Sequence, residues 1–283
     1  MDDLWYSEYH AKDVRFSIRV TRQLHWEKSD YQEISVFESP EFGRFLTLDG
    51  IMMLTERDEF IYHEMIVHPA LAVSPDIRRV LVIGAGDGGV ARELTKYPGI
   101  ERIDVVEIDE RVAAVCKEFL PQTACGFRDA RVNLIFQDGL KFVRRTEQTY
   151  DLIIVDSTDP FGPGEVLFTR EFYGNCRRAL TERGILVNQH ESPFYREDAD
   201  AMTAAHRLIG QVFPESFVYQ AHIPTYPSGH WLFGFASASL DPVADLRADE
   251  WNALNIPTRY YNTDLHRGAF ALPTYVKELL RDG

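Results

Sequence analysis

The ten residues VLVIGAGDGG, Val80 to Gly89, constrain this chain more than any other stretch. An apolar run of strand type enters a glycine turn and a helix follows, which is the unit from which open parallel sheets are built. Gly84, Gly86 and Gly88 let backbone approach a ligand closely because they carry no Cβ. Asp87 sits inside the same turn. In a dinucleotide site the turn and the helix N-terminus offer bare N–H groups to a pyrophosphate, and a carboxylate there repels it. The turn therefore suits a neutral or cationic ligand.

A sulfonium nucleoside, meaning S-adenosylmethionine or a relative, is such a ligand: adenosine with a positive charge and no phosphate. Three glycines alone are a weak signal, also met in plain strand–helix turns, so the weight falls on the surrounding chain. From Arg79 to about Phe235 apolar runs recur at 80–83, 103–108, 132–136, 151–156, 184–189, 216–221 and 231–236, separated by helix-like segments. Runs of Val and Ile without polar alternation suit strands covered on both faces. The expected fold class is α/β, a doubly wound sheet, mostly parallel, with its last two strands forming an antiparallel pair.

Residues 1–56 read differently. FSIRVTRQLHWEK and QEISVFESPEFGRFLTLDGIMMLTE are strand-like, and Asp49-Gly50 between apolar runs is a hairpin signal. The expected division is an N-terminal antiparallel β domain, 1–56, and a catalytic domain, 57–283, the latter opening on a helix with Phe60, Ile61, Met65, Ile66 and Leu71 at helical spacing. The tail YVKELLRDG should pack back on the main domain. No run approaches the roughly 20 apolar residues of a membrane span, and MDDLWYSEYH lacks the features of a signal peptide, so a cytoplasmic location is expected.

A net charge of −14 argues against a nucleic-acid partner, which needs a basic face, and is compatible with a cationic substrate or with a surface kept acidic for solubility. Cys116, Cys125 and Cys176 have no CxxC spacing and read as small core residues, not a disulfide framework or thiolate metal site. HEMIVH resembles a zinc helix superficially. Its histidines are five apart, roughly 140° around a helix, so they cannot share a metal from one face.

Ligands of such sheets sit at the carboxyl ends of the strands. Those ends are acidic: Asp87 after the first strand, Glu107 and Asp109 at the second, Asp138 at the third, Asp156 and Asp159 at the fourth. Glu107 follows Gly86 by 21 residues, the separation at which an acid receives ribose hydroxyls. Asp138-Gly139 suits the adenine amine at the start of the next helix, and Asp109 suits a helix cap. Asp87, Asp156 and Asp159 exceed what an ordinary S-adenosylmethionine pocket needs. Crowded carboxylates repel one another unless a cation neutralises them, as a polyamine would; the alternative for Asp156 and Asp159 is a turn fixed ahead of Pro160.

Together, TERDEFIYHEM (55–65), VLVIGAGDGGVARE (80–93), VVEID (105–109), DSTDPFGPGEVLF (156–168) and IPTYPSGHW (223–231) resemble the spermidine synthases, the polyamine aminopropyltransferases, over nearly the whole chain and in the right order. The resemblance implies a small N-terminal β domain, a Rossmann-like domain and assembly as homodimers or homotetramers. It implies aminopropyl transfer from decarboxylated S-adenosylmethionine to putrescine, releasing methylthioadenosine, with the nucleoside as co-substrate and no cofactor. It assigns donor contacts to Gln32, Asp87, Glu107, Asp138, Gly139 and Pro163. Amine contacts fall to Tyr62, His63, Asp87, Asp156, Asp159 and Tyr226, with Asp156 as the base. No metal is expected, given the spacing of the HEMIVH histidines and of the cysteines. Two positions depart from the pattern: Ala85 replaces a glycine, and Met53 stands where many members carry Gln. Agmatine, cadaverine or spermidine as acceptor, methylation of a small amine, and a non-catalytic nucleoside-binding regulator remain open readings. DSTDPFGPGEVLF is expected to close over the site and exclude water.

Overall fold

The computed structural model describes residues 4–157 and 167–282. Strands β1 (Leu4–Ala11) and β2 (Val14–Val20) pair as a hairpin, and β3 (Arg22–Lys28), β4 (Glu33–Ser39), β5 (Gly43–Leu48) and β6 (Ile51–Thr55) form a separate antiparallel sheet. The run read as continuous from Phe16 to Lys28 is thus divided at Thr21, because its first half pairs with β1 and its second with β4. Asp49 and Gly50 make the turn between β5 and β6, both at positive φ, the geometry that a tight hairpin between right-twisted strands requires.

The main sheet has strand order β12-β13-β11-β10-β7-β8-β9, built from β7 (Arg79–Gly84), β8 (Arg102–Glu107), β9 (Val132–Phe136), β10 (Tyr150–Asp156), β11 (Leu180–Gln189), β12 (Glu215–His222) and β13 (His230–Ser237). Strands β7 to β11 run parallel, and β13 is antiparallel to both β11 and β12. Alternate residues enter different cores. Val80, Val82, Leu152 and Ile154 face α1 (Glu59–Val73) and α2 (Gly89–Thr95), whereas Leu81, Ile83, Ile153 and Val155 face α5 (Arg170–Ala179). This two-sided burial is why the strands read as unbroken apolar runs. Helix α1 is buried on nearly every side, so its sequence shows no polar stripe.

The strand order reverses between β7 and β10, where Gly84 pairs with Asp156. A crevice opens outside the strand ends at such a point. The β3–β6 sheet closes one side of it by packing Ile34, Val36, Leu46 and Leu54 on Val112, Val115 and Cys116 of α3 (Glu110–Phe119). Cys116 and Cys176 are buried as expected, but Cys125 is exposed, a correction that follows from its place in the irregular 124–128 turn. The tail forms a C-terminal helix (Thr274–Asp282), whose Val276 packs with Met202, Val218 and Leu232. Among the described residues no helix is long and apolar enough to cross a membrane.

Candidate active site

One cavity of about 590 Å³ lies at the carboxyl ends of β7 to β11, walled also by the N-terminal strands, the start of α1 and the β12–β13 loop. Its size is that of a small-molecule site. Of the residues singled out in the sequence, Gln32, Tyr62, His63, Gly84, Gly86, Asp87, Glu107, Asp138, Gly139, Asp156 and Tyr226 line it. Asp159 and Pro163, with the rest of the segment expected to close over the site, lie outside the described residues.

The glycine turn is shaped by close contacts. Gly84 has φ +86, and a Cβ there would stand 2.0 Å from the Asp156 carbonyl oxygen; only glycine lets β7 and β10 meet at this point. A Cβ on Gly86 would stand 2.8 Å from Glu107 Oε2, which keeps the cavity open beside that carboxylate. Gly88 does not line the cavity; at φ +87 it is the residue just before α2 and lies against Ala124 and Phe127. Ala85 keeps φ at +60 with its methyl buried. The methyl has room, at the strain an L-residue bears in the left-handed region.

At the nucleoside end, Glu107 Oε1 accepts from the Asp109 backbone N–H at 2.8 Å. Burial pushes the Glu107 carboxyl up to about 7 against that bond. Asp109 caps α3 by accepting from Arg111 N at 3.0 Å, and its other oxygen receives Gln32 Nε2 at 3.0 Å and Ser29 Oγ at 2.6 Å, which anchors Gln32 at the cavity wall. Asp138 Oδ1 caps α4 (Gly139–Val143) by accepting from Lys141 N at 3.1 Å.

At the other end the tip of β10 meets α1. The Tyr62 hydroxyl donates to Asp156 Oδ1. Burial and the Asp87 carboxylate push Asp156 up to about 7, while the His63 imidazolium and the Tyr62 hydroxyl act in the opposite direction. His63 Nδ1 meets Glu59 Oε2 at 2.5 Å and its Nε2 meets Asp87 Oδ1 at 3.2 Å. Burial disfavours charge on this ring, yet Asp87 and Glu59 overcome it and raise His63 to about 10. Against its own burial, Asp87 is held below the usual carboxylate range by His63 and by the Gly89 N–H at 2.7 Å.

His63, Asp87 and Asp156 each place one potential ligand atom within 4.8 Å of the others, and the ring nitrogens of His63 are shared between Glu59 and Asp87. His63 was assigned to the amine by resemblance; in the structure both of its ring nitrogens are already engaged by carboxylates. His68 lies on another face of α1 and meets Tyr97 and Glu93, so the two histidines of HEMIVH do not converge. The Tyr226 hydroxyl donates to the Met53 carbonyl at 2.6 Å. Its loop is held because Asp58 accepts from both the N–H and the hydroxyl of Thr225, at 3.0 and 2.7 Å.

Sequence reasoning passed over several groups. Glu59 is buried and takes both ends of the Arg92 guanidinium at 2.8 Å; its i,i+4 spacing from His63 was the available signal. Glu8, Gln189 and Glu191 also line the cavity. Gln189 Nε2 donates to Glu191 Oε1 at 2.7 Å, and Glu8 receives the Met52 N–H at 2.8 Å. Nothing local in their sequence marks them, because β1 and the end of β11 meet the cavity only through the fold.

The family model described as the spermine/spermidine synthase domain matches residues 59–246, and the spermidine synthase tetramerisation domain matches residues 4–56. The chain is 65% identical over 278 residues to a polyamine aminopropyltransferase of Alkaliphilus oremlandii, covering 98% of each chain. It is 66% identical over 281 residues to one of Clostridium perfringens strain 13, covering 99% of each. A crystal structure of spermidine synthase in complex with the transition state analogue AdoDATO superposes with a TM-score of 0.97 at 40% identity, over 100% of this chain and 97% of that one. Spermidine synthase from Thermotoga maritima gives 0.95 at 40% identity, over 100% and 96%.

Proposed function

The chain belongs to the spermine/spermidine synthase family of aminopropyltransferases, and from that premise we propose that it transfers the aminopropyl group of decarboxylated S-adenosylmethionine to putrescine, giving spermidine and methylthioadenosine. The observation that carries this reading is the pair of carboxylates at the switch point. Asp87 is held ionised beside His63, and Asp156 is raised to about 7 beside Tyr62. One suits a permanent cation, the other a proton in transit.

Gln32, Glu107, Asp138 and Gly139 hold the adenosine, Glu107 accepting from the ribose hydroxyls. Asp87 holds the ammonium of the aminopropyl chain. Ordinary S-adenosylmethionine carries a carboxylate at that end, which Asp87 repels, so the turn selects the decarboxylated donor by an unfavourable contact with its competitor. Asp159 and Pro163 keep their assignments on resemblance alone.

A primary amine near pKa about 10 has no lone pair at neutral pH. Asp156 takes a proton from the attacking ammonium, and Tyr62 orients the carboxylate. The freed lone pair forms a C–N bond to the carbon next to the sulfonium while the C–S pair leaves on sulfur, which departs as a neutral thioether. Holding nitrogen and carbon in line at about 3–3.5 Å supplies a large part of the acceleration. Glu8, Glu191, Glu197 and Asp198 line the same cavity against the cation of His10, which Glu8 and Asp198 hold between them, and the remaining negative charge favours a diamine, with its second ammonium, over a monoamine. The match of residues 4–56 to a tetramerisation domain supports association into a homodimer or homotetramer, and a monomer on sedimentation of the active enzyme would overturn it.

The mass of the product from a panel of amines tests the reaction. Putrescine with the decarboxylated donor should give spermidine at the highest kcat/KM. A product heavier by one methyl group would overturn aminopropyl transfer, and faster turnover of agmatine, cadaverine or spermidine would overturn putrescine as the acceptor.

A further inference from the structure

Asp87 is the last member of a charged chain that starts at the protein surface. Arg92, on α2, forks onto both oxygens of Glu59 at 2.8 Å each. Its Nε also reaches Glu93 at 3.0 Å, which fixes the guanidinium from a second side. Glu59 Oε2, at the start of α1, meets His63 Nδ1 at 2.5 Å one turn later. His63 Nε2 then meets Asp87 Oδ1 at 3.2 Å. The charges alternate along the chain, so each buried group is neutralised by its neighbours, and a buried charge needs such partners.

The geometry at the two ends differs. Asp87 Oδ1 is taken twice, by His63 and by the Gly89 N–H at 2.7 Å, which leaves Oδ2 for a ligand in the cavity. The imidazole lies directly over Gly89: a Cβ there would fall 2.2 to 2.4 Å from three ring atoms. The glycine at the start of α2 thus makes room for the ring. His63 is 2% exposed and Glu59 7%, so little water competes for these bonds.

We propose that Glu59 and Arg92 are positioning residues for the donor ammonium: acting through His63, they hold Oδ1 of Asp87 so that Oδ2 faces the aminopropyl chain. Glu59 reaches the cavity wall but spends both oxygens on Arg92 and His63, and Arg92 does not line the cavity. The inference rests on the reading above that Asp87 holds that ammonium. It makes a distinction that a merely structural role does not, because methylthioadenosine occupies the nucleoside pocket but lacks the aminopropyl group. Losing the chain should weaken the donor and spare the product.

The test is calorimetric titration of decarboxylated S-adenosylmethionine and of methylthioadenosine, without amine, into the intact enzyme and its Glu59→Gln variant. The wild type should bind the donor more tightly than methylthioadenosine. Glu59→Gln should weaken donor binding about tenfold or more, equivalent to about 1.4 kcal/mol, and leave methylthioadenosine within about twofold. In steady-state assays the donor KM should rise by a similar factor while the amine KM stays within about twofold. Equal loss of both ligands, or loss of neither, overturns the proposal. Should Glu59→Gln fail to fold, Arg92→Gln, at the partly exposed end of the chain, gives the same split with a smaller factor, and equal effects on both ligands there overturn it too. A wild type that binds the donor no better than methylthioadenosine would instead refute the assignment of Asp87 to the ammonium, so the two failures are distinguishable.

Discussion

The contact between the Tyr62 hydroxyl and Asp156 bears on how far uphill the proton must travel. Between an ammonium near pKa about 10 and an ordinary carboxylate near about 4 the transfer costs about 8 kcal/mol, and a carboxylate at about 7 halves that before ligand charges enter. Burial and Asp87 raise Asp156; Tyr62 works in the other direction by hydrogen-bonding the ionised form. Tyr62→Phe keeps the ring packing on Phe233 and Tyr226 and removes only that bond. Asp156 should therefore titrate higher, moving the acidic limb of the kcat/KM profile up by about half a unit to one unit. Activity lost at pH 6.5 should return by pH 8.5, and a loss equal at both pH values would show that Tyr62 acts otherwise. Asp87 and Asp156 could be singled out in the sequence because they sit at strand ends, whereas Tyr62 entered only through the resemblance carried by TERDEFIYHEM. Glu59 was legible only by its i,i+4 spacing from His63, since the folded chain alone shows that its partner Arg92 approaches from another helix. The engagement of both His63 ring nitrogens by the carboxylates of Glu59 and Asp87 was not legible.

Among the elements, the junction of β7 and β10 does most to locate the site. The alternation of strands and helices and the antiparallel last pair could be read from apolar runs, because strands buried on both faces leave no polar interruptions. The break between β2 and β3 could not, since pairing partners rather than local residue types divide that run. The acidic strand ends converge because the strand order reverses next to Gly84. Gly84→Ala would force a Cβ to 2.0 Å from a backbone oxygen of the neighbouring strand at φ +86, with no flexible side chain to yield. It should destabilise the protein by at least about 3 kcal/mol and abolish turnover. Gly99→Ala, where nothing lies within 4 Å of the added methyl, should stay within about 1 kcal/mol. Denaturant midpoints compare the two, and similar shifts would mean that the switch-point glycine is not needed for the sheet.

For the whole molecule, the N-terminal strands and the α/β body share one acidic cavity, and its empty state depends on pH in a direction set by the shifts within it. Asp156 and Glu107 are both raised to about 7. A raised carboxyl favours its neutral form in the folded protein, so these two destabilise the empty enzyme progressively as pH rises from about 4 through 7. Glu59, lowered to about 2, contributes stability above its unfolded value that is lost only as pH falls toward 2. His63, raised to about 10, contributes stability that is whole below about 6.5 and fades as pH rises through 10. Across pH 5.5 to 8 a diamine meets a changing site. At pH 8 Asp156 is ionised and receives an ammonium directly; at pH 5.5 the ammonium must first displace its proton. Each unit below 7 should weaken the diamine about tenfold, about 1.4 kcal/mol. At saturating but fixed putrescine, the rise in Tm over the ligand-free protein should therefore be larger at pH 8 than at pH 5.5 by several degrees, about 2–4 °C per kcal/mol for a chain of this size. Differential scanning calorimetry at the two pH values decides it. Equal increments would mean that the ammonium is not held by a carboxylate titrating near neutrality, and the proton acceptor would have to be sought elsewhere.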